Sequence, residues 1–230
     1  MFRIPGVRVW LFFLSVLALW VIAYAEHSVP NRAYAEYFLK QANDCREKEC
    51  PQAKEKTYLR KAIYYAPGVS AAYFPLAMLL EGEGKKTMAL QLMERGARLN
   101  FEDASIHSYL GQYYYESGHR ELAFRHLSLA TKNYLDCELC YFYLGEIHEG
   151  LGNNTYALNA YYWITENSQL YPLVLARKAA LYIASGDFSR WHPVVEILRR
   201  DFKAYALADE LMRYATTGEI PSFVPPLLKK

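Results

Sequence analysis

A period of about 34 residues recurs along the middle of this 230-residue sequence and constrains the fold more than any other feature. The glycines that show it are Gly84, Gly118, Gly152 and Gly186. The same interval separates the alanines Ala89, Ala123 and Ala157, and the pairs Leu76-Ala77, Leu110-Gly111 and Leu144-Gly145. A period of this length is typical of stacked copies of one small unit, because a single unit cannot bury its own apolar side.

Within each copy the apolar residues follow a helical spacing. Leu122, Leu127 and Ala130, for example, lie at intervals that bring them to one side of a helix. Gly118 and Gly152 stand where a first helix must end and the chain must turn back, since glycine adopts a positive φ at little steric cost. The sequence therefore predicts an all-α fold made of helical hairpins.

The repeated unit resembles the tetratricopeptide repeat (TPR) motif, W-x2-L-G-x2-Y followed by A-x3-F. The matching residues are His107-x2-Leu110-Gly111-x2-Tyr114 with Ala123-x3-Leu127, then Tyr141-x2-Leu144-Gly145-x2-His148 with Ala157-x3-Tyr161. A third copy is Tyr73-x2-Leu76-Ala77-x2-Leu80 with Ala89-x3-Met93. The resemblance covers about residues 36–205. It implies a right-handed α-solenoid of about five helix pairs.

The first and last copies depart from the motif. The first, at about 36–69, has Asn43 and Cys50 in place of the glycines. The last, at about 172–205, has Trp191 where a small alanine is expected, which puts the packing of that helix pair in doubt.

Two segments follow the repeats. Residues 206–217 (ALADELMRYATT) predict a capping helix with Asp209, Glu210 and Arg213 facing outward, because the last unit of a stack needs a polar outer side. The tail, 218–230, carries three prolines and cannot continue that helix.

The N-terminal segment predicts export. Residues 9–25 form an apolar run without a charged residue, and Arg3 and Arg8 precede it. The run fits either a transmembrane anchor or a signal peptide cleaved after Ala23-Tyr24-Ala25. In both cases the basic residues keep 1–8 in the cytoplasm. We expect a single-pass protein of the cell inner membrane with its body on the periplasmic side.

Charge and motifs argue against several functions. The formal net charge of +2 indicates no nucleic-acid partner. No hydrolase, zinc-protease, P-loop or dinucleotide-binding motif is present. The six histidines do not pair with acids at metal-ligand spacing; His107 and His148 should pack between helices, and His119 and His126 should lie at the surface. We therefore predict a non-enzymatic protein without cofactor or metal; the oligomeric state stays open.

The four cysteines allow several interpretations. Cys137-x2-Cys140 alone could indicate redox chemistry or half of a zinc site. In a solenoid, however, Cys45 and Cys50 would lie too far from this pair to share one tetrahedral site. In an oxidising compartment we expect the local disulfides Cys45–Cys50 and Cys137–Cys140. Four unpaired thiols are the alternative.

The TPR resemblance implies that first-helix residues line a concave groove that binds extended peptides or partner helices. The candidate lining residues are Phe74, Met78, Ser108, Tyr109, Gln112, Tyr115, Phe142, Tyr143, Glu146 and Glu149. Residues 104–171 hold three Lys/Arg against seven Asp/Glu, so a partner segment with Lys or Arg beside apolar anchors is favoured. The basic groove residues that TPR proteins use to clamp carboxylate tails are absent from these positions.

Together these features predict a membrane-tethered, exported adaptor that binds a protein or peptide segment in the groove. The resemblance implies a role in envelope assembly, such as secretion, cytochrome maturation, or pilus or polysaccharide export. A periplasmic holdase-like chaperone of unfolded segments is the alternative. A thiol-exchange subunit that uses Cys137 and Cys140 is a third class, and a structural module that packs through its anchor helix is a fourth.

Overall fold

The computed structural model describes residues 31–133 and 136–225, and in these ranges it contains eleven α-helices and no β-strand. The predicted all-α class is confirmed. The described residues divide into two compact units, one up to Asn100 and one from Phe101 onward, each built from helical hairpins.

The first unit contains two hairpins. Its helices are α1 (Arg32–Glu47), α2 (Gln52–Tyr65), α3 (Tyr73–Gly82) and α4 (Lys86–Leu99), with a short 3-10 helix (Ser70–Ala72) before α3. Helix α1 packs on α2, and α3 on α4; α2 also contacts α3. Asn31 caps α1, because its side-chain oxygen accepts a hydrogen bond from the backbone N–H of Tyr34 at 3.2 Å.

The second unit contains three hairpins and a final helix. Its helices are α5 (Ala104–Glu116), α6 (Arg120–Asn133), α7 (Glu138–Gly150), α8 (Asn154–Tyr161), α9 (Tyr171–Ala184), α10 (Phe188–Arg200) and α11 (Tyr205–Thr217). Each first helix packs on the second helix of its hairpin, α5 also contacts α7, and α11 packs on both α9 and α10. Helix α11 thus occupies the range in which a capping helix is predicted.

The periodic glycines close the hairpin turns. Gly84, Gly118, Gly152 and Gly186 have φ between 72° and 80°, as predicted for turn residues. The residue after each glycine donates its backbone N–H to the carbonyl five positions earlier, which satisfies the last carbonyls of the helix. No other residue type adopts this conformation so cheaply.

The first hairpin makes the same turn without glycine. Glu49, rather than Cys50, takes the left-handed conformation, with φ 50°, and the N–H of Cys50 bonds to the carbonyl of Cys45 at 2.9 Å. The Cys45–Cys50 disulfide, with Cα atoms 5.1 Å apart, joins the two residues that this hydrogen bond links. The covalent link therefore holds the one such turn that carries a side chain in a disfavoured backbone conformation.

A second periodic column forms the core of each hairpin. Its members recur at the same interval as the glycines and are at most 2% exposed: Leu59, Met93, Leu127, Tyr161 and Val195. In the last hairpin Trp191 replaces the small alanine but is itself buried at 6% exposure, within a cluster that includes Leu175 and Leu211. The doubt about this helix pair is thereby resolved: α9 and α10 still pack, and the indole fills part of their core.

Several predictions fall on residues outside the described ranges or on properties that the structure does not test. The predicted transmembrane or signal segment 9–25 lies outside the described residues, as do 226–230 of the tail. Among the helices of the described ranges, none is both long and apolar enough to cross a bilayer. The right-handed winding of the whole array stays a prediction.

Candidate partner-binding face

The first helices of the hairpins carry all ten predicted groove residues, and we call the side formed by α5, α7 and α9 in the second unit the first-helix face. In the first unit, Phe74 and Met78 lie one turn apart on α3 and are 39% and 37% exposed. In the second unit, five predicted residues are partly exposed: Ser108, Tyr109, Gln112, Tyr115 and Tyr143. The other three, Phe142, Glu146 and Glu149, are buried.

An aromatic contact joins α5 to α7. The rings of Tyr115 and Tyr143 have centroids 4.6 Å apart, and the Arg120 guanidinium lies 4.7 Å from the Tyr115 ring centroid. Burial raises the pKa of Tyr115 to about 12, and a hydrogen bond with Glu146 adds to the shift. Both tyrosines are thus uncharged side chains that offer apolar area and a hydroxyl group.

Ser108 is linked to a disulfide on the neighbouring hairpin. Cys137 and Cys140 are bonded, with Cα atoms 5.2 Å apart, and the described residues contain no unpaired cysteine. The Ser108 hydroxyl oxygen lies 3.5 Å from Cys137 Sγ and 3.3 Å from Cys140 Sγ. Both predicted disulfide pairs are therefore present, and the second, at the start of α7, contacts Ser108 on the side of α5.

A buried charge cluster lies where α7 meets α9. Arg177 of α9 donates from Nη1 to Glu149 Oε2 at 2.8 Å and from Nη2 to Glu146 Oε1. Its guanidinium carbon also lies 5.2 Å from the ring centroid of Phe142. Phe142 and Glu146 therefore pack against Arg177 and are not exposed at the surface. On the first-helix face these two side chains hold Arg177 in position.

The cluster contains more acidic than basic side chains. Two buried carboxylates share one guanidinium, and removing charges from water is costly. Burial raises the pKa of Glu149 to about 7, against the opposing effect of Arg177, and the nearby Glu146 carboxylate acts in the same direction as burial. Glu149 is thus the group at which the cluster exchanges a proton near neutral pH.

Three buried polar atoms of this cluster lie outside regular hydrogen-bond geometry among the described residues, although the Tyr161 hydroxyl interacts with both Glu149 and Arg177. They are Glu149 Oε1, Arg177 Nε and the hydroxyl oxygen of Tyr161, which comes from α8. Most buried polar groups in proteins are hydrogen-bonded, so three such atoms in one cluster set it apart from ordinary core.

A cavity of about 630 Å³ adjoins the cluster. Its charged lining residues are Glu149 and Arg177, and Gly152 and Asn154 also line it. Ala180, Leu181 and Ala184 of α9 form one apolar wall. The remaining wall comes from α11 and the segment after it, through Tyr214, Ile220, Pro221, Ser222, Val224 and Pro225. The volume lies within the range of about 300–1,000 Å³ that is typical of ligand pockets.

Arg177 is the residue that sequence reasoning missed. It lies one period after Tyr143 and two periods after Tyr109, in the same column of the repeat as these two predicted groove residues. Continuing that column by one more period would have placed a basic residue on the first-helix face. The apolar surroundings of Arg177 in YPLVLARKAALYIA conceal this signal.

Two histidines pair inside the second unit. His107 is buried, as predicted, and its Nε2 donates to the Phe101 carbonyl at 2.7 Å; Nδ1 then accepts from Nδ1 of His126, 2.9 Å away. The expectation that His126 lies at the surface is wrong, since its ring is half-buried against His107 and stacks on Tyr114. The described residues contain no group of three or more His, Cys, Asp or Glu that could bind a metal ion.

Comparisons with known proteins identify the fold. No family model matches the sequence, and no curated protein matches it. Solved structures do match, among them YrrB, a TPR protein described as having an unusual peptide-binding site: 15% identity, TM-score 0.60, over 76% of this chain and 90% of YrrB.

Two further matches support the same assignment. A TPR protein from Parabacteroides merdae is 17% identical with a TM-score of 0.58, over 81% of this chain and 75% of its own. Pseudomonas aeruginosa PilF is 15% identical with a TM-score of 0.55, over 81% of this chain and 93% of its own. At these identities the likeness concerns the fold, and the protein has the fold of the tetratricopeptide-repeat proteins.

Proposed function

We propose that this protein is a non-enzymatic, membrane-tethered adaptor that holds a segment of a protein partner on its first-helix face during envelope assembly. The observation that carries the proposal is the composition of that face in the second unit. Tyr109, Gln112, Tyr115 and Tyr143 are partly exposed there, and Glu149 and Arg177 of the same face line a cavity. Tyrosines of this kind supply large contact area at low entropic cost.

Location outside the cytoplasm is supported by the cysteines. All four are paired in local disulfides, and disulfides persist in oxidising compartments. The apolar run 9–25 would anchor the chain in the inner membrane, with the body in the periplasm. Extraction of the membrane fraction with alkaline carbonate tests this. An integral protein stays with the membrane, whereas release into the supernatant would contradict the tether.

Site-specific photo-crosslinking tests the binding face. We would replace Tyr109 with benzoyl-phenylalanine in the full chain and irradiate intact cells. The matched control places the same probe at Tyr156, a 63% exposed tyrosine on the second helix α8. We expect one predominant crosslinked partner from Tyr109 and none from Tyr156.

Each other outcome has a distinct meaning. Crosslinks from Tyr156 but not from Tyr109 would contradict the assignment of the first-helix face. A broad set of unrelated partners from Tyr109 would instead indicate a holdase-like chaperone.

A further inference from the structure

One wall of the cavity beside Glu149 and Arg177 is a chain segment that hydrogen bonds hold in place. Gly218 ends α11 with a φ of 76°, and the chain then returns along the cavity. Glu210 of α11 holds this returning segment: its carboxylate accepts hydrogen bonds from the backbone N–H of Ser222 at 2.6 Å and from the Ser222 hydroxyl at 3.1 Å. Pro221 is buried at the same place.

The chemistry of the walls is asymmetric. Most of the lining is apolar, supplied by Leu181 and Ala184 on one side and by Ile220 and Val224 on the other. Its charged lining residues are Glu149 and Arg177, which lie together at one wall. A matching occupant therefore has apolar side chains along most of its length and a polar or charged group at one end.

The charges at this wall determine whether the polar end of the occupant is positive or negative. Arg177 binds both Glu146 and Glu149, so one guanidinium faces two carboxylates, and the excess charge at this wall is negative whenever Glu149 is ionised. Glu149 Oε1 also lies outside regular hydrogen-bond geometry, with the Tyr161 hydroxyl as a neighbouring polar group. An incoming cation would supply the missing charge and a donor, whereas an incoming anion would meet like charge.

We propose that this cavity binds an apolar segment of the protein partner through one lysine or arginine side chain that pairs with Glu149. The inference rests on the proposed function, because it takes the occupant to be part of the same protein partner. It adds the chemistry by which that partner is recognised, and it assigns a second contact to the cavity beside the contact at the tyrosines of α5.

Peptide selection on the full chain tests the ligand chemistry. Random peptides displayed on phage would be selected against the purified protein in detergent, in parallel on wild type and on an Ala184→Trp variant whose indole is designed to obstruct the cavity. We expect wild-type binders to be enriched in Lys or Arg next to Leu, Ile, Val or Pro, and the variant to lose them. No enrichment of basic residues, no binders at all, or equal selection by the Ala184→Trp variant would each overturn the proposal.

Removing the charge of Glu149 tests the proposal through the affinity for a selected peptide. For the best selected peptide, Glu149→Gln should weaken binding at least tenfold at pH 8. The matched control, Glu121→Gln, removes the same charge from an exposed site on α6 and should leave the affinity within twofold. Equal losses in both variants would show that only the overall charge of the protein matters, and this result would overturn the specific pairing.

The pH dependence of peptide affinity distinguishes a charge pair at Glu149 from a purely structural role of this residue. The groups that face this carboxyl are Glu146 on its own helix, Tyr161 from α8 and Arg177 from α9. Burial raises the pKa of Glu149 to about 7, so this carboxyl is ionised in a minority of the protein molecules at pH 6 and in a majority at pH 8. A cationic side chain pairs only with the ionised form. We expect affinity to rise about tenfold over this interval in wild type and to stay flat in Glu149→Gln. A flat wild-type profile would overturn the pairing.

Two controls separate the possible failures. If Tyr109 crosslinks one partner equally well in wild type and in Ala184→Trp, the proposed function stands and this inference fails. If Tyr109 crosslinks nothing, the proposed function itself has failed. Residues 226–230 (PLLKK) have the chemistry that we assign to the occupant; tighter peptide binding after Lys229→Ser and Lys230→Ser would overturn the partner assignment in favour of the chain's own tail.

Discussion

Gly111 tests whether the hairpins are held by the close approach of their two helices. It lies on α5, and a Cβ atom added to its backbone would stand 2.6 Å from both Cγ and Cδ2 of Leu127 and 3.1 Å from the Leu127 backbone nitrogen. Leu127 is fully buried on α6, so its side chain has no open space to turn into. The backbone nitrogen cannot move unless the two helices separate.

The cost of Gly111→Ala follows from these distances. Overpacking a dense core costs about 1–3 kcal/mol, whereas alanine regains about 1 kcal/mol through its higher helix propensity. We therefore expect a net loss of up to about 2 kcal/mol in the free energy of unfolding, measured by urea denaturation followed by far-ultraviolet circular dichroism. Gly82→Ala is the control, because a Cβ at this position on α3 meets no atom within 4 Å. It should be neutral or slightly stabilising.

A double-mutant cycle sharpens the test. Leu127→Ala alone should cost about 2–5 kcal/mol, because it removes a buried side chain. In the Gly111→Ala background the same change also removes the clashing Cγ and Cδ2 atoms, so it should cost measurably less. Additive effects in the cycle, or equal losses from Gly111→Ala and Gly82→Ala, would refute the close-approach argument.

Three further predictions concern the first turn and the buried cluster. Glu49→Gly should raise the free energy of unfolding by about 1 kcal/mol, since Glu49 has a φ of 50°; thermal unfolding will show it, and a loss would contradict it. Arg177→Met should lower it by about 3–5 kcal/mol in urea denaturation, because it leaves Glu146 and Glu149 buried without a cation, and adding Glu146→Gln and Glu149→Gln should restore most of the loss. Between pH 5 and 8 the protein should lose up to about 3 kcal/mol of stability, because the folded-state pKa of Glu149 is raised from 4.5 to about 7 and the unfolded chain ionises first. Urea titrations should show this loss in wild type and its absence in Glu149→Gln.

The fold could be predicted from the sequence where one residue decides one backbone conformation. The column from Gly84 to Gly186 marks the hairpin turns because a positive φ is a local property of glycine. The first turn shows the limit of this reasoning. It is closed by Glu49 and not by Cys50, since this connection has one residue more than the others, and counting back by one period from Gly84 misses the shift.

The candidate site was less accessible to sequence reasoning because it depends on contacts between helices that are far apart in the chain. The register placed Glu146 and Glu149 on the correct helix, but their burial follows from Arg177, 31 and 28 residues further on. Likewise, the cavity exists only because the segment after α11 turns back to Glu210. Neither arrangement leaves a periodic signal.

The central claim is that partners bind to the first helices of the hairpins, and amide hydrogen exchange tests it most directly. The full chain would be compared alone and in complex with the partner identified by the Tyr109 crosslink. We expect slower exchange in α5, α7 and α9 on binding, with exchange in α6 and α8 unchanged. Slower exchange confined to α6 and α8 would contradict it.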